Sequence, residues 1–177
     1  VEYSKELPVS SIAFPPKSAS LRLGEVLSQN GKKQLRLAES EKYAHVTYFF
    51  NCGVETPYEG EDRVLIPSKN ASSYADVPDM SAPELTDRIL EEIEKDFYDF
   101  ILVNYANPDM VGHTGDIQAC IKTLETTDKC LEKLIPSVLE RNGAILITAD
   151  HGNVEELINL KTGEIDTEHS TNPVPLW

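Results

Sequence analysis

The chain has 177 residues, 40% of them hydrophobic, and a formal net charge of −14. That size and apolar content support one real core and exclude intrinsic disorder. The negative charge argues against nucleic acid as a partner, which calls for a basic face, and no apolar run approaches the ~20 residues of a membrane span.

Residues 1–20 are rich in Pro and Ser and read as an N-terminal arm or linker. The chain begins at Val1 rather than Met, consistent with a processed product, and residues 1–8 are too polar for a signal peptide. Residues 21–29 predict a short helix stopped by Asn30-Gly31. Residues 34–37, 46–50 and 63–67 have the apolar, β-branched and aromatic content of strands, with a loop over 51–62. Ser81-Ala-Pro-Glu84 has the form of a capping box, and Leu85, Ile89 and Ile93 follow at helical spacing. Residues 100–103 (FILV) form a continuous apolar run, as in a strand covered on both faces.

A second long helix is predicted over 117–140, with Pro136 expected to kink or shorten it and Asn142-Gly143 to end it. Cys120 and Cys130 fall in this helical pattern and read as small buried hydrophobes. With Cys52 they make an odd count without C-x-x-C spacing, which points to a reducing compartment, hence cytoplasm. Residues 144–148 (AILIT) predict another buried strand, and 155–159 a short helix. Strand–helix–strand order of this kind gives an α/β fold, a largely parallel sheet flanked by helices.

Three segments carry metal-ligand chemistry: 104–115 (NYANPDMVGHTG), 148–154 (TADHGNV) and 168–175 (EHSTNPVP). They hold His113, His151 and His169 together with two loop aspartates, Asp109 and Asp150. Carboxylate and imidazole suit borderline divalent ions, and such ions would also offset the acidic field for an anionic substrate. The first two segments each follow an apolar run, and parallel sheets bind ligands outside the carboxyl ends of strands. Asp109 with His113 alone is equally an ordinary hydrogen-bonded pair, and His169 alone a surface histidine. Asp150-His151-Gly152 is more specific, since Gly152 permits close backbone approach. Taken together, the three segments favour a two-metal site.

These segments resemble the cofactor-independent phosphoglycerate mutases of the alkaline phosphatase superfamily. Residues 38–51 (AESEKYAHVTYFFN), 60–63 (GEDR) and 80–87 (MSAPELTD) resemble the same family, so the likeness covers nearly the whole chain. It implies that residues 21–177 are the C-terminal part of an incomplete alkaline phosphatase-like, metal-binding domain. It implies interconversion of 3-phosphoglycerate and 2-phosphoglycerate through a phosphoserine and two divalent ions, Mn2+ first and Mg2+, Co2+ or Zn2+ as alternatives. Asp109, His113 and His169 match the ligands of one ion, and Asp150 and His151 match ligands of the other. Lys42 matches a lysine near the transferred phosphoryl group, whereas by sequence alone it reads as a solvated lysine. Arg63 and His45 lie in matching motifs but read as a strand-edge ion pair and a strand-face histidine. Tyr105, Asn107 and Asn153 read as scaffold, and Ser170 as a turn residue.

The resemblance also places the serine nucleophile, a further aspartate ligand, the first strand and the glycerate-binding domain outside this chain. The expected partner is thus a small phosphoglycerate, the intact parent a monomer, and this chain alone inactive and prone to self-association at an unpaired sheet edge. A non-catalytic metal-binding half-domain, or another phosphohydrolase or phosphopentomutase of the superfamily, are the alternatives. One departure stands out. Cys52 occupies a place where the family usually has glycine.

Overall fold

Three parallel strands organise the chain. In a computed structural model, which describes residues 19–177 together with Ser11, Ala13 and Phe14, they are β1 (Gln34–Glu39), β2 (Glu61–Ile66) and β3 (Phe100–Asn104). The order is β2-β1-β3, with Gln34 opposite both Glu61 and Phe100. Most of the predicted N-terminal arm lies outside the described residues. Because the strands run the same way, the carboxyl ends of β1 and β3 open on one edge. The residues that follow them carry Lys42 and Asp109.

The helices are α1 (Leu23–Gln29), α2 (Ala82–Glu94), α3 (Asn107–Gly112) and α4 (Ile117–Leu139). None of the described helices is long and apolar enough to cross a membrane. Leu35 and Leu37 of β1 pack with Leu85 and Ile89 of α2 and Leu134 of α4 in one buried cluster. A second cluster joins Met80, Ala106, Val111, Ala119 and Cys120 under the start of α4. Each fully buried aliphatic side chain contributes about 2 kcal/mol. Cys120 and Cys130 are buried as expected, 2% and 4% exposed. Asn30 ends α1 with its side-chain amide donating to the Val26 carbonyl at 2.8 Å.

Several expectations fail for definable reasons. Residues 46–50 do not form a strand; His45–Phe49 is a π-helix. Its buried positions are Val46 and Thr47, and the Thr47 hydroxyl donates back to the Tyr43 carbonyl at 2.8 Å. The capping box does not close, because the Ser81 hydroxyl donates to the Pro67 carbonyl at 2.9 Å while Glu84 faces Lys69 at 3.3 Å. Asp109 sits on α3 rather than in a loop; Pro108 falls in that helix's first turn, where its missing N–H costs nothing. Pro136 is tolerated within α4, which continues to Leu139. So near the end of the helix a proline removes a single backbone bond.

β3 is an edge of this sheet, half-buried along its whole length rather than covered on both faces. Residues 144–148 do not join it. They pair antiparallel with the C-terminal residues: Ile147 and Trp177 exchange backbone hydrogen bonds of 2.9 and 3.0 Å, and Thr148 bridges to Leu176. Leu146 is consequently 80% exposed, so this run is not the buried strand that its composition suggests. The predicted helix over 155–159 is replaced by turns and a small hairpin with Ile158 opposite Ile165.

Cys52 adopts φ = +52°, a left-handed conformation that costs a side-chain-bearing residue roughly 1–2 kcal/mol. Glycine adopts it without that cost. Cys52→Gly is therefore expected to stabilise the fold by roughly 1 kcal/mol, read as a higher denaturant midpoint. An unchanged or lower midpoint would contradict this account of the turn.

Candidate metal centre

Lys42 closes a 3-10 turn, Ser40–Lys42, directly after β1. Its side chain is buried, not solvated, with the residue 4% exposed. Nζ lies 2.7 Å from Asp109 Oδ2 and 3.7 Å from Asp150 Oδ2, and 3.5 Å from His151 Nε2. Asp109 and His113 stand four apart on and just after α3, so they share a face.

Asp109 is the hub. Its Oδ1 is 3.2 Å from both His113 Nε2 and His169 Nε2, and its Oδ2 faces Lys42 and, at 3.9 Å, His151 Nε2. The two histidine Nε2 atoms of His113 and His169 approach to 3.1 Å. The rings of His151 and His169 stack at 3.8 Å. Asp150 stands at the rim, its Oδ1 3.8 Å from His151 Nε2 and its Oδ2 accepting from the Asn104 amide at 3.4 Å. All six side chains singled out in the sequence are thus brought to the edge where β1 and β3 end.

Burial works against the charge of Asp109, but hydrogen bonds from Lys42 and Asn153 and the nearby positive charge outweigh it, and the carboxyl is held below its ordinary value. Asn153 is 4% exposed and donates its side-chain amide to Asp109 Oδ1 at 2.6 Å and to the Asp109 carbonyl at 3.2 Å. It is scaffold with a specific task, which is to aim the hub carboxylate. A Cβ on Gly112 would collide with that amide. Asn153→Ala is expected to weaken Mn2+ binding about 10- to 100-fold, the usual effect of losing a ligand-orienting partner. Calorimetric titration checks this, and unaltered affinity would remove Asn153 from the site.

A separate network sets His169 against His151. Gly152 and Ser170 form an antiparallel bridge, with the Ser170 N–H donating to the Gly152 carbonyl at 2.9 Å. Glu155 accepts from the Ser170 hydroxyl, from the Asn172 amide at 3.2 Å and from the Asn153 N–H at 2.7 Å. Any Cβ on Gly152 would strike Ser170 and Glu155, which is why the backbone needs glycine there. Tyr105 and Asn107 are also scaffold. The Tyr105 hydroxyl pairs with Thr86 at 2.6 Å, and Asn107 donates to Thr123 Oγ1 at 2.7 Å. Arg63 is held by Glu61 at 2.7 Å, a structural pair.

The donor set fits a divalent cation. His113 Nδ1 lies 2.7 Å from the Thr167 carbonyl, and a carbonyl only accepts, so Nδ1 carries the proton and Nε2 presents a lone pair. His151 Nδ1 stands 3.3 Å from the Gly152 carbonyl with the same consequence. Asp109, His151 and His169 each offer one ligand atom within 4.8 Å of the others. This grouping cuts across the expected division into two ligand sets, because Asp109 turns one oxygen to each side.

His45 does not lie where the sequence placed it. It is not on a strand face but begins the π-helix three residues after Lys42, through helical backbone at Tyr43 and Ala44. Burial, then the Lys42 charge, lowers its basicity, and Asp150, His151 and Asp109 also act on it. The Lys-x-x-His spacing was visible in the sequence, but it signals proximity only on a helix.

Residues 4–177 match a family model described as the metalloenzyme superfamily. The chain belongs to that superfamily. More particularly, it is similar to 2,3-bisphosphoglycerate-independent phosphoglycerate mutases. It is 56% identical over 174 residues to that of Clostridium botulinum, covering 98% of this chain and 34% of the relative. To that of Clostridioides difficile it is 55% identical, with the same coverage. The fold matches the crystal structure of Leishmania mexicana phosphoglycerate mutase at low cobalt concentration with a TM-score of 0.82 and 31% identity, over 88% of this chain and 30% of that one. The chain thus spans about a third of the length of these relatives.

Proposed function

We propose that this chain is the metal-binding part of a phosphoglycerate mutase that interconverts 3-phosphoglycerate and 2-phosphoglycerate in the cytoplasm without 2,3-bisphosphoglycerate. The observation that carries this is the convergence of His113 and His169 on Asp109, and of Asp109, Asp150 and His151 on the ammonium of Lys42. Asp109, His113 and His169 would hold one divalent ion and Asp150 with His151 a second, Mn2+ being the first choice for such oxygen and nitrogen donors. When bound, two such ions neutralise phosphoryl charge and raise the acidity of an attacking hydroxyl.

The chain's own groups do the rest of the positioning. Lys42 Nζ, buried between two carboxylates, is a fixed positive charge that can meet a phosphoryl oxygen without reorganising. The Thr167 and Gly152 carbonyls hold His113 and His151 with Nε2 turned inward. Asn153 fixes the hub carboxylate. The serine that accepts the phosphoryl group, and the residues that hold the glycerate while it reorients, would come from elsewhere in the full-length protein. Ser170 is not a candidate nucleophile, since its hydroxyl donates to Glu155, whose carboxyl is held below its ordinary value and is a weak base.

Mn2+ titration of the purified chain tests the reading. Binding is expected to weaken steeply between about pH 8 and about pH 5.5, because protons compete with the ion for three imidazoles. Absence of Mn2+ binding at the upper pH, or affinity independent of pH, would overturn the metal assignment.

A further inference from the structure

We infer that His45 is a further anion-contacting residue of this site, donating a hydrogen bond from Nε2 to a phosphoryl oxygen beside Lys42. The inference deepens the proposed function and rests on it.

The backbone places the two side chains together. Lys42 ends the 3-10 turn, Tyr43 and Ala44 keep right-handed helical angles, and His45 opens the π-helix. Residues three apart on such a path share a face. π-Helical turns are rare and occur frequently at functional sites. Here the turn sits directly after the strand end that supplies Lys42.

The imidazole has one dry and one open nitrogen. His45 Nδ1 is buried without a hydrogen-bond partner. The residue as a whole is only half-buried, and with Nδ1 buried Nε2 is the one ring nitrogen left to meet a ligand. Phe49 holds the ring edge-to-face, with centroids 5.4 Å apart. A neutral imidazole carries one proton. On Nδ1 that proton would have no acceptor and no water; on Nε2 it can be used. In its neutral form the ring therefore donates through Nε2. Lys42, Asp150, His151 and Asp109 are the charged or titratable groups whose fields reach it.

A neutral donor is what this place needs. Lys42 already faces two carboxylates, and the metal ligands are acceptors, so a phosphoryl group arriving here has several oxygens and few N–H groups to meet. A hydrogen bond to a charged oxygen from a fixed, partly dried donor is stronger than one between neutral groups. His45 acts on the anion and does not ligate metal, which separates its role from that of its neighbours.

The test uses inorganic phosphate as probe, titrated into the purified chain saturated with Mn2+, for wild type and for His45→Ala, His45→Asn and His45→Gln. A glutamine amide can place an N–H near the position of Nε2, and an asparagine amide near that of Nδ1. His45→Ala and His45→Asn are expected to bind phosphate about tenfold more weakly, and His45→Gln to recover most of the affinity, with Mn2+ affinity and thermal midpoint unchanged in all three. Phosphate affinity unaffected by His45→Ala overturns the inference. So does equal loss in the glutamine and asparagine variants, a parallel loss of Mn2+ affinity that marks a structural role, or a wild-type chain that binds Mn2+ but no phosphate. Failure of wild type to bind Mn2+ would instead overturn the metal assignment itself, and this inference with it.

Discussion

Asp109→Ala is expected to lower Mn2+ affinity by at least about a hundredfold, more than any other single substitution in the site. Among the described residues, the carboxylate is the one group in contact with Lys42, His113, His169 and Asn153 together. Its removal therefore deletes a proposed ligand and also releases the groups that aim the other proposed ligands. Stability should fall as well. The Lys42 side chain is 5% exposed, and without Asp109 its nearest acidic oxygen is 3.7 Å away on Asp150. A buried charge that loses its partner costs about 3 kcal/mol.

The pH dependence of that loss has a definite sign. The folded value of Asp109 is depressed, so its contribution is present above the unfolded carboxylate value and lost as pH falls through the lower folded one. Asp109→Asn should therefore be less stable than wild type at neutral pH, and the two should converge in acid below the ordinary carboxylate range. Denaturant unfolding across that range checks this. A constant difference at all pH values would show that the Lys42 pairing contributes nothing.

The second large effect concerns turnover. In a coupled mutase assay with Mn2+, this chain alone is expected to show no activity above background, at least about a thousandfold below a full-length relative such as the Clostridium botulinum enzyme. Removing a nucleophile commonly costs up to about 10⁶ in rate. Four of the described serines are engaged in structure: Ser81 with the Pro67 carbonyl, Ser40 with the Ser68 N–H, Ser73 at the start of a 3-10 turn and Ser170 with Glu155. Ser40 shares the 3-10 turn of Lys42, but its hydroxyl oxygen accepts from the Ser68 N–H at 3.2 Å. Activity comparable to that of the relative would mean that one of them is the phosphoryl acceptor.

The chemistry of this chain was more legible in its sequence than its local geometry. Asp109, His113, Asp150, His151 and His169 stood out because adjacent carboxylates and imidazoles after apolar runs are costly without a purpose. α2 and α4 followed from periodicity, which local burial dictates directly, and the parallel sheet from the strand–helix–strand order. The stretch 46–50 did not, because aromatic and β-branched residues report a half-buried surface rather than a backbone conformation. Lys42 is singled out only by the family resemblance, since composition and spacing alone make it a solvated lysine, and His45 reads as a strand-face histidine. A lysine is buried only by what converges on it from Asp109 and Asp150, and neither partner is near it in the chain. The run 144–148 shows the reverse case. Apolar content announces a strand, but pairing partners decide where it lies, and here they are Leu176 and Trp177.

Lys42 and His151 meet although they are 109 positions apart, and His113 and His169 although they are 56 apart. Closing loops of that size costs entropy that only a largely formed sheet can offset. The ligand shell is therefore expected to close only together with the sheet whose strands β1 and β3 present it. An ion that recognises the finished shell is then not expected to nucleate the fold. It acts on the reverse reaction, holding the native state against unfolding while leaving the speed of folding almost unchanged.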